Sequence, residues 1–218
     1  MADLTEFPRP SVAVDTAVLT LAPRRRPAPD QPELQVQLLL VSRDDGWALP
    51  GTFVRERERL EDAVMRALAT KVGLGARALT QQLGVRDDPY RDDRGWVLSV
   101  AHLAVLPLAT LEPVLAEADG RLRLRPASRP GSLMWDHERM VASALDTMRK
   151  AYRRRPDPFR LLGRTFTVSQ LRAVHEGVAG QLLPKDTFRR HMEPLLSPTN
   201  SLLTGSVGRP SQVYARRR

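Results

Sequence analysis

The sequence predicts a mixed α/β sandwich over residues 1–152, followed by a small winged helix-turn-helix over 153–218. Three observations carry that expectation. Strand-like and helix-like apolar patterns interleave through the first ~150 residues, the signature of helices packed on a sheet. The last third runs helix, turn, basic helix, β-hairpin. The charge is also divided. From Arg149 to Arg218 there are 15 Lys/Arg against 4 Asp/Glu, a net of +11, whereas residues 1–148 carry 19 against 21, a net of −2. An excess confined to one module marks a surface for a polyanion, with nucleic acid foremost.

Residues 12–21 (VAVDTAVLTL) alternate and then run apolar, which predicts a strand. A Pro/Arg-rich loop leads to a second strand over 34–42, and WALP after the RDDG turn reads as a short third. The spacing of Leu60, Ala63, Val64, Ala67, Leu68 and Val72 gives one apolar stripe and predicts a helix over 60–72. Glu61 and Asp62 suit its first turn and Gly73 its stop. Strands follow over 79–86 and 96–106, flanking the charged loop DDPYRDDRG, and RLRLR at 121–125 reads as a charged edge strand. A helix over 136–152 takes Asp136 as its N-cap, and the boundary falls near AYRRRPDP.

In the second module, Thr167 and Gln170 fit a capping box ahead of a helix whose Leu171, Val174 and Val178 share one face. KDTFRRHME is the second helix, with Phe188 and Met192 turned inward. LLTGSVGRPSQVYARRR supplies two short strands around a Gly-rich turn. In such a module the second helix enters the major groove. It offers Lys185 and Thr187 to phosphates and Arg189, Arg190 and His191 toward base edges, while Arg209 in the wing is aimed at the minor groove or backbone.

Composition narrows the function classes. The chain has no cysteine, which removes disulfides, thiolate zinc sites and a Cys nucleophile. No apolar run approaches the ~20 residues that span a bilayer. The N-terminus is acidic and lacks an apolar core, so a cytoplasmic protein without a secretory signal is expected.

Residues 49–74, LPGTFVRERERLEDAVMRALATKVGL, resemble the Nudix box, G-x5-E-x7-R-E-U-x-E-E-x-G-U preceded by L-P-G. Leu49, Pro50, Gly51, Glu58, Arg66, Leu68, Gly73 and Leu74 match without a gap. Thr52 replaces the first glycine, and Ala67, Thr70 and Lys71 replace the three glutamates at the helix end. Those three positions share one helix face, where a Mg²⁺ bridging a diphosphate needs carboxylate oxygens. A methyl, a hydroxyl and an ammonium stand there instead. Lys71 repels a divalent cation and attracts phosphate as a point charge. Metal-dependent hydrolysis is therefore expected to be lost and diphosphate binding retained, with no catalytic residue and no metal ligand assigned. Glu58 and Arg66 either contact the ligand or brace the loop on the helix.

The loop VRDDPYRDDRG resembles the D-P-x-R-D-P-R-G segment of ADP-ribose-type Nudix proteins, with Asp93 where proline is usual. Arg91 and Arg94 are candidates for bidentate phosphate contacts, and Tyr90 or Trp47 for stacking on adenine. The alternative is an exposed turn whose Asp and Arg satisfy one another.

Taken together with FTVSQLRAVHEGVAGQLLPKDTFRRHM, TGSVGRPSQVYARR and LMWDHERMVASAL, these motifs resemble the Nudix-related transcriptional regulators of NAD metabolism, the NrtR type. The resemblance spans nearly the whole chain. It implies an α/β (α+β) Nudix-like sandwich followed by a C-terminal winged helix-turn-helix. It also implies a homodimeric repressor on a palindromic DNA operator, released by an NAD-derived effector, usually ADP-ribose, with no cofactor. Two alternatives stay open: a Nudix hydrolase drawing metal ligands from Glu56, Glu61 or Asp62, and a related regulator of sugar-utilisation genes.

Overall fold

Strand β1 (Ser11–Pro23) is the spine of a seven-stranded sheet in the computed structural model, which describes residues 3, 6–44, 46–75, 78–203 and 210–217. On one side β1 pairs antiparallel with β2 (Leu34–Arg43), which carries the short β3 (Gly46–Ala48) and the edge strand β7 (Leu122–Pro126). On the other it pairs parallel with β6 (Val97–Val105), which carries β5 (Thr80–Arg86) antiparallel. The start of β1 also takes the short β4 (Gly51–Phe53), which brings the residues after the L-P-G against the sheet.

Because side chains alternate along a strand, β1 sends Val14 and Val18 to one face and Ala17, Leu19 and Leu21 to the other. Both faces are covered. The first packs on α1 (Leu60–Val72) through Ala63, Val64, Leu68 and Val72, and on α2 (Leu108–Ala116) through Leu111. The second packs on α3 (His137–Arg154) through Met140, Val141, Ala144, Leu145 and Met148. Each fully buried Leu or Val contributes about 1.5–3 kcal/mol before ordering entropy. The expected sandwich is present, with α1 at its expected bounds and closed by Gly73 in the left-handed region at φ 81°.

Four elements depart from expectation. Helix α2 is nine residues long with Pro113 inside it, so its periodicity is weak. Strands β4 and β8 (Thr165–Thr167) are too short to alternate visibly. Asp136 stands at the N-cap of α3 but makes no capping hydrogen bond.

The second module contains α4 (Val168–Ala179), α5 (Lys185–Met192), a single 3-10 turn (Glu193–Leu195), β9 (Leu196–Leu203) and β10 (Ser211–Arg216). Its three-stranded sheet runs β8-β10-β9. The capping box forms: the Gln170 N–H donates to Thr167 Oγ1 at 3.2 Å, and the Thr167 N–H donates to Gln170 Oε1 at 2.8 Å. Leu171, Phe188, Met192, Leu196 and Tyr214 close a local core.

Helix α4 serves both modules. Leu171 faces the local core, while Val174 and Val178 enter the core of the sandwich. Gly177 allows the close approach: a Cβ there would lie 2.9 Å from Leu34 Cβ and 3.0 Å from Leu21 Cδ2. Beside it, the His175 ring sits edge-on to Tyr152 of α3 and Phe188 of α5, each 5.0 Å away, and burial pushes its pKa down to about 4. The fully buried Asp157 ties the joint. It accepts from the Tyr152 hydroxyl, the Leu161 and Leu162 backbone N–H groups and the Arg216 guanidinium, all within 3.0 Å.

Candidate functional site

The box segment folds around one ion pair. Arg66 donates from Nε and Nη2 to the two oxygens of Glu58, each at 2.7 Å, and from Nη1 and Nη2 to Thr52 Oγ1 and the Phe53 carbonyl, each at 2.9 Å. The Arg55 N–H donates to Glu58 Oε2 at 2.8 Å. The Arg66 hydrogen bonds, then that of Arg55, hold the Glu58 carboxyl down to about 2 from its usual 4.5. The pair pins the loop onto α1, and among the described residues the hydrogen bonds of the Glu58 carboxylate go to Arg66 and Arg55.

Positions 67, 70 and 71 fall at the end of the same helix. Ala67 is fully buried, and the Thr70 hydroxyl donates to the Arg66 carbonyl at 2.8 Å. Lys71 is exposed. A divalent cation needs several anionic or carbonyl oxygens at one point. This face offers none, and no group of three His, Asp or Glu close enough to hold a metal occurs among the described residues.

Next to the box lies a cavity of about 230 Å³. Lys71 enters it from α1, Arg91 and Arg94 from the loop between β5 and β6, and Arg43 from the end of β2. Box and charged loop, read separately in the sequence, are thus adjacent. Gly51 forms part of the wall because nothing larger fits: a Cβ there would meet Asp15 Oδ1 at 2.0 Å. Asp15 accepts from the Ser99 hydroxyl at 2.6 Å, and His137 Nε2 lies 3.4 Å from its other oxygen. His137 Nδ1 accepts the Leu49 N–H at 3.0 Å, so that nitrogen is unprotonated and the ring joins the L-P-G lead-in to the first turn of α3.

The two loop arginines already have carboxylate partners. Arg91, 3% exposed, donates to Asp136 Oδ1 from Nη2 at 2.6 Å and from Nε at 3.1 Å. This contact takes the carboxylate expected to cap α3. Arg94 forms a fork on Asp92 at 2.7 and 2.8 Å, and its guanidinium stacks 4.9 Å from the Trp135 ring. Both arginines line the cavity, and their charge is partly neutralised there.

The two aromatic candidates lie outside the lining of this cavity. Trp47 does not line the cavity; its ring lies under the Arg123 guanidinium, 3.4 Å from the ring centroid. Tyr90 also stays out of the lining and is 91% exposed. Trp135 and Phe53 line it instead. No local pattern marks them. Trp135 arrives from the start of α3 with φ 56°, a backbone region uncommon for a bulky residue.

On the second module, Lys185, Thr187, Arg189, Arg190 and His191 are all exposed on α5, with Phe188 and Met192 buried behind them. Lys185 and Arg189 border a groove of about 650 Å³ between the start of α4, α5 and the two wing strands. Ser169 and Gln212 also line it and gave no sequence signal. Arg189 is held by Glu193 at 2.8 and 3.2 Å, and Glu193 also accepts from the Tyr214 hydroxyl. The turn between the helices is fixed by Glu176, which accepts from Arg172 at 3.1 Å and from the Leu183 N–H at 2.9 Å. Arg209 lies outside the described residues.

Two family models match the chain: the NUDIX domain over residues 28–126, and the NrtR DNA-binding winged helix domain over 158–215. The ADPR responsive transcriptional repressor NtrR of Acinetobacter baylyi is 27% identical over 220 residues, covering 96% of this chain and 83% of the relative. An ADP-ribose pyrophosphatase of Methanocaldococcus jannaschii is 36% identical over 72 residues, covering 31% of this chain and 42% of the relative. Shewanella oneidensis NrtR, solved in complex with a 27mer DNA, superposes with a TM-score of 0.74 at 26% identity, covering 94% of this chain and 93% of that one.

Proposed function

The chain is an NrtR-type regulator, a Nudix domain joined to an NrtR DNA-binding winged helix, and from this premise we propose that it represses NAD-metabolism genes and is released from DNA by ADP-ribose. The sandwich, taken as 1–152, is the sensor and no longer a hydrolase. The module 153–218 is the reader. The repressor is a homodimer in the cytoplasm, with two α5 helices set for half-sites about one helical turn apart on a palindromic operator.

One observation carries this reading: a single helix spans input and output. Just before α3, Trp135 lines the cavity and Asp136 holds the lining Arg91, while His137 at the start of the helix contacts Leu49 and the lining Asp15. Near its far end Tyr152 packs on His175 of α4 and donates to Asp157, which follows the helix and holds Arg216 of β10. A ligand that binds one arrangement of that helix better than another shifts the spacing of the two α5 helices. In this reading the cavity residues Lys71, Arg91 and Arg94 meet the ligand, Trp135 takes the adenine role assigned to Trp47 or Tyr90, and Glu58 with Arg66 shapes the wall.

The test is fluorescence anisotropy of the full chain on its operator, found by genome-wide mapping of bound DNA. Peaks at NAD-synthesis promoters, and release by ADP-ribose, are the expected results. Release by a pentose phosphate but not by ADP-ribose would assign a sugar regulon instead. Mg²⁺-dependent turnover of ADP-ribose that disappears in Glu58→Gln would make the sandwich an enzyme.

A further inference from the structure

The cavity beside the box meets a second, of about 440 Å³, at the end of α1. Two residues line both: Arg43 at the end of β2 and Lys71 in the last turn of α1. Among the described residues neither side chain has a hydrogen-bond or ion-pair partner. Arg43 Nε is moreover buried, a donor taken from water with nothing to receive it. Such groups in folded proteins generally have a partner. The other cations of the first cavity, Arg91 and Arg94, are forked onto Asp136 and Asp92. The cations of the cavity left without a carboxylate are therefore Arg43 and Lys71, and the one other carboxylate in the lining, Asp15, is held by Ser99 and His137.

We infer that Arg43 and Lys71 form a metal-free clamp for the diphosphate of the nucleotide ligand. The inference rests on the ADP-ribose reading above and adds how its charge is met. In a metal-dependent Nudix site, carboxylates hold divalent cations that in turn hold the diphosphate. Here Ala67, Thr70 and Lys71 give a face that does not fit such a cation, and the ammonium of Lys71 would repel one. The same ammonium serves as a compact positive charge for one phosphate, and the planar Arg43 guanidinium offers a fork to the other. The buried Nε then gains the acceptor it lacks. Loss of metal and gain of cation are one change: the protein supplies directly the charge that the metal supplied.

The experiment is calorimetric titration of the full-length protein with ADP-ribose, and with inorganic pyrophosphate as competitor, in EDTA and again in Mg²⁺. The expected result is ADP-ribose binding of equal strength in both buffers, weakened by pyrophosphate. Arg43→Ala and Lys71→Met are each expected to bind ADP-ribose roughly tenfold or more weakly, the loss of one charge-assisted contact. Lys71→Arg keeps the charge and most of the affinity, and circular dichroism checks that each variant is folded. A Mg²⁺ requirement, or variants that bind as the parent does, overturns the clamp. ADP-ribose binding indifferent to pyrophosphate overturns the clamp and leaves the effector reading standing. A parent protein that binds neither compound overturns both.

Discussion

The cations of the sandwich and those of α5 are the same residue types put to opposite uses. Arg66, Arg91 and Arg94 are forked onto Glu58, Asp136 and Asp92 and help hold the cavity wall. Lys185, Arg190 and His191 project into solvent, and even Arg189 is held at one edge only, by Glu193. A paired, partly desolvated charge organises structure, and removing its partner strands it. An exposed charge costs folding little and stays available for phosphates. The difference teaches that a count of arginines locates neither function.

The largest expected effect comes from breaking the most enclosed pair. Arg91→Met leaves the Asp136 carboxylate without its guanidinium and should lower unfolding free energy by about 3 kcal/mol in urea. Arg190→Met should move the same midpoint by no more than about 0.5 kcal/mol. If the two variants unfolded alike, the contrast between the regions would be lost. On DNA the order reverses. Arg189→Ala should cost about 1–3 kcal/mol of discrimination between operator and random duplex, whereas Lys185→Ala should weaken both and reduce the salt slope by about one. Equal loss on both duplexes for Arg189→Ala would reassign it to the backbone.

A finer test concerns Glu193. It orients Arg189, so Glu193→Gln should reduce operator preference by less than Arg189→Ala does, without weakening random-duplex binding. An unchanged preference would show that Arg189 needs no such support. The smallest effect is the pH response of the box brace. The Glu58 carboxyl is depressed in the folded state, so its contribution is fully present above its usual 4.5 and is lost as pH falls toward about 2. Comparing the parent with Glu58→Gln by thermal melting across that window should show a difference that shrinks with acidification. A constant difference would mean that the brace does not depend on the charge of Glu58.

Much of the fold was legible because its elements are long and periodic. The stripe of α1, the alternation into β1, the Thr167–Gln170 box and the inward Phe188 and Met192 of α5 all follow from spacing. Helix α2 was not legible because LATLEPVLA is short and contains a proline, Pro113, that argues against a helix. At the site, Lys71, Arg91 and Arg94 were legible as motif positions and do share one cavity. Trp135, Phe53 and Arg43 were not, since nothing nearby in the chain foretells that they reach it. The surroundings of Trp47 were not legible for the same reason: its ring is stacked under Arg123, 76 positions away along the numbering.

Residue order alone places Ala67, Thr70 and Lys71 on one face of α1, divides the charge between the modules and sets the outward face of α5. These depend on residue identity and on spacings of three or four positions, which the backbone geometry of a helix converts directly into faces. The tertiary structure decided which charges neutralise one another. Arg91 meets Asp136 across 45 positions and Arg216 meets Asp157 across 59, so neither pair exists until the sandwich has folded and α3 and β10 are in place. That is why Arg43, an unremarkable strand end in the sequence, becomes in the folded chain a half-buried cation beside Lys71, its buried Nε without a hydrogen-bond partner among the described residues.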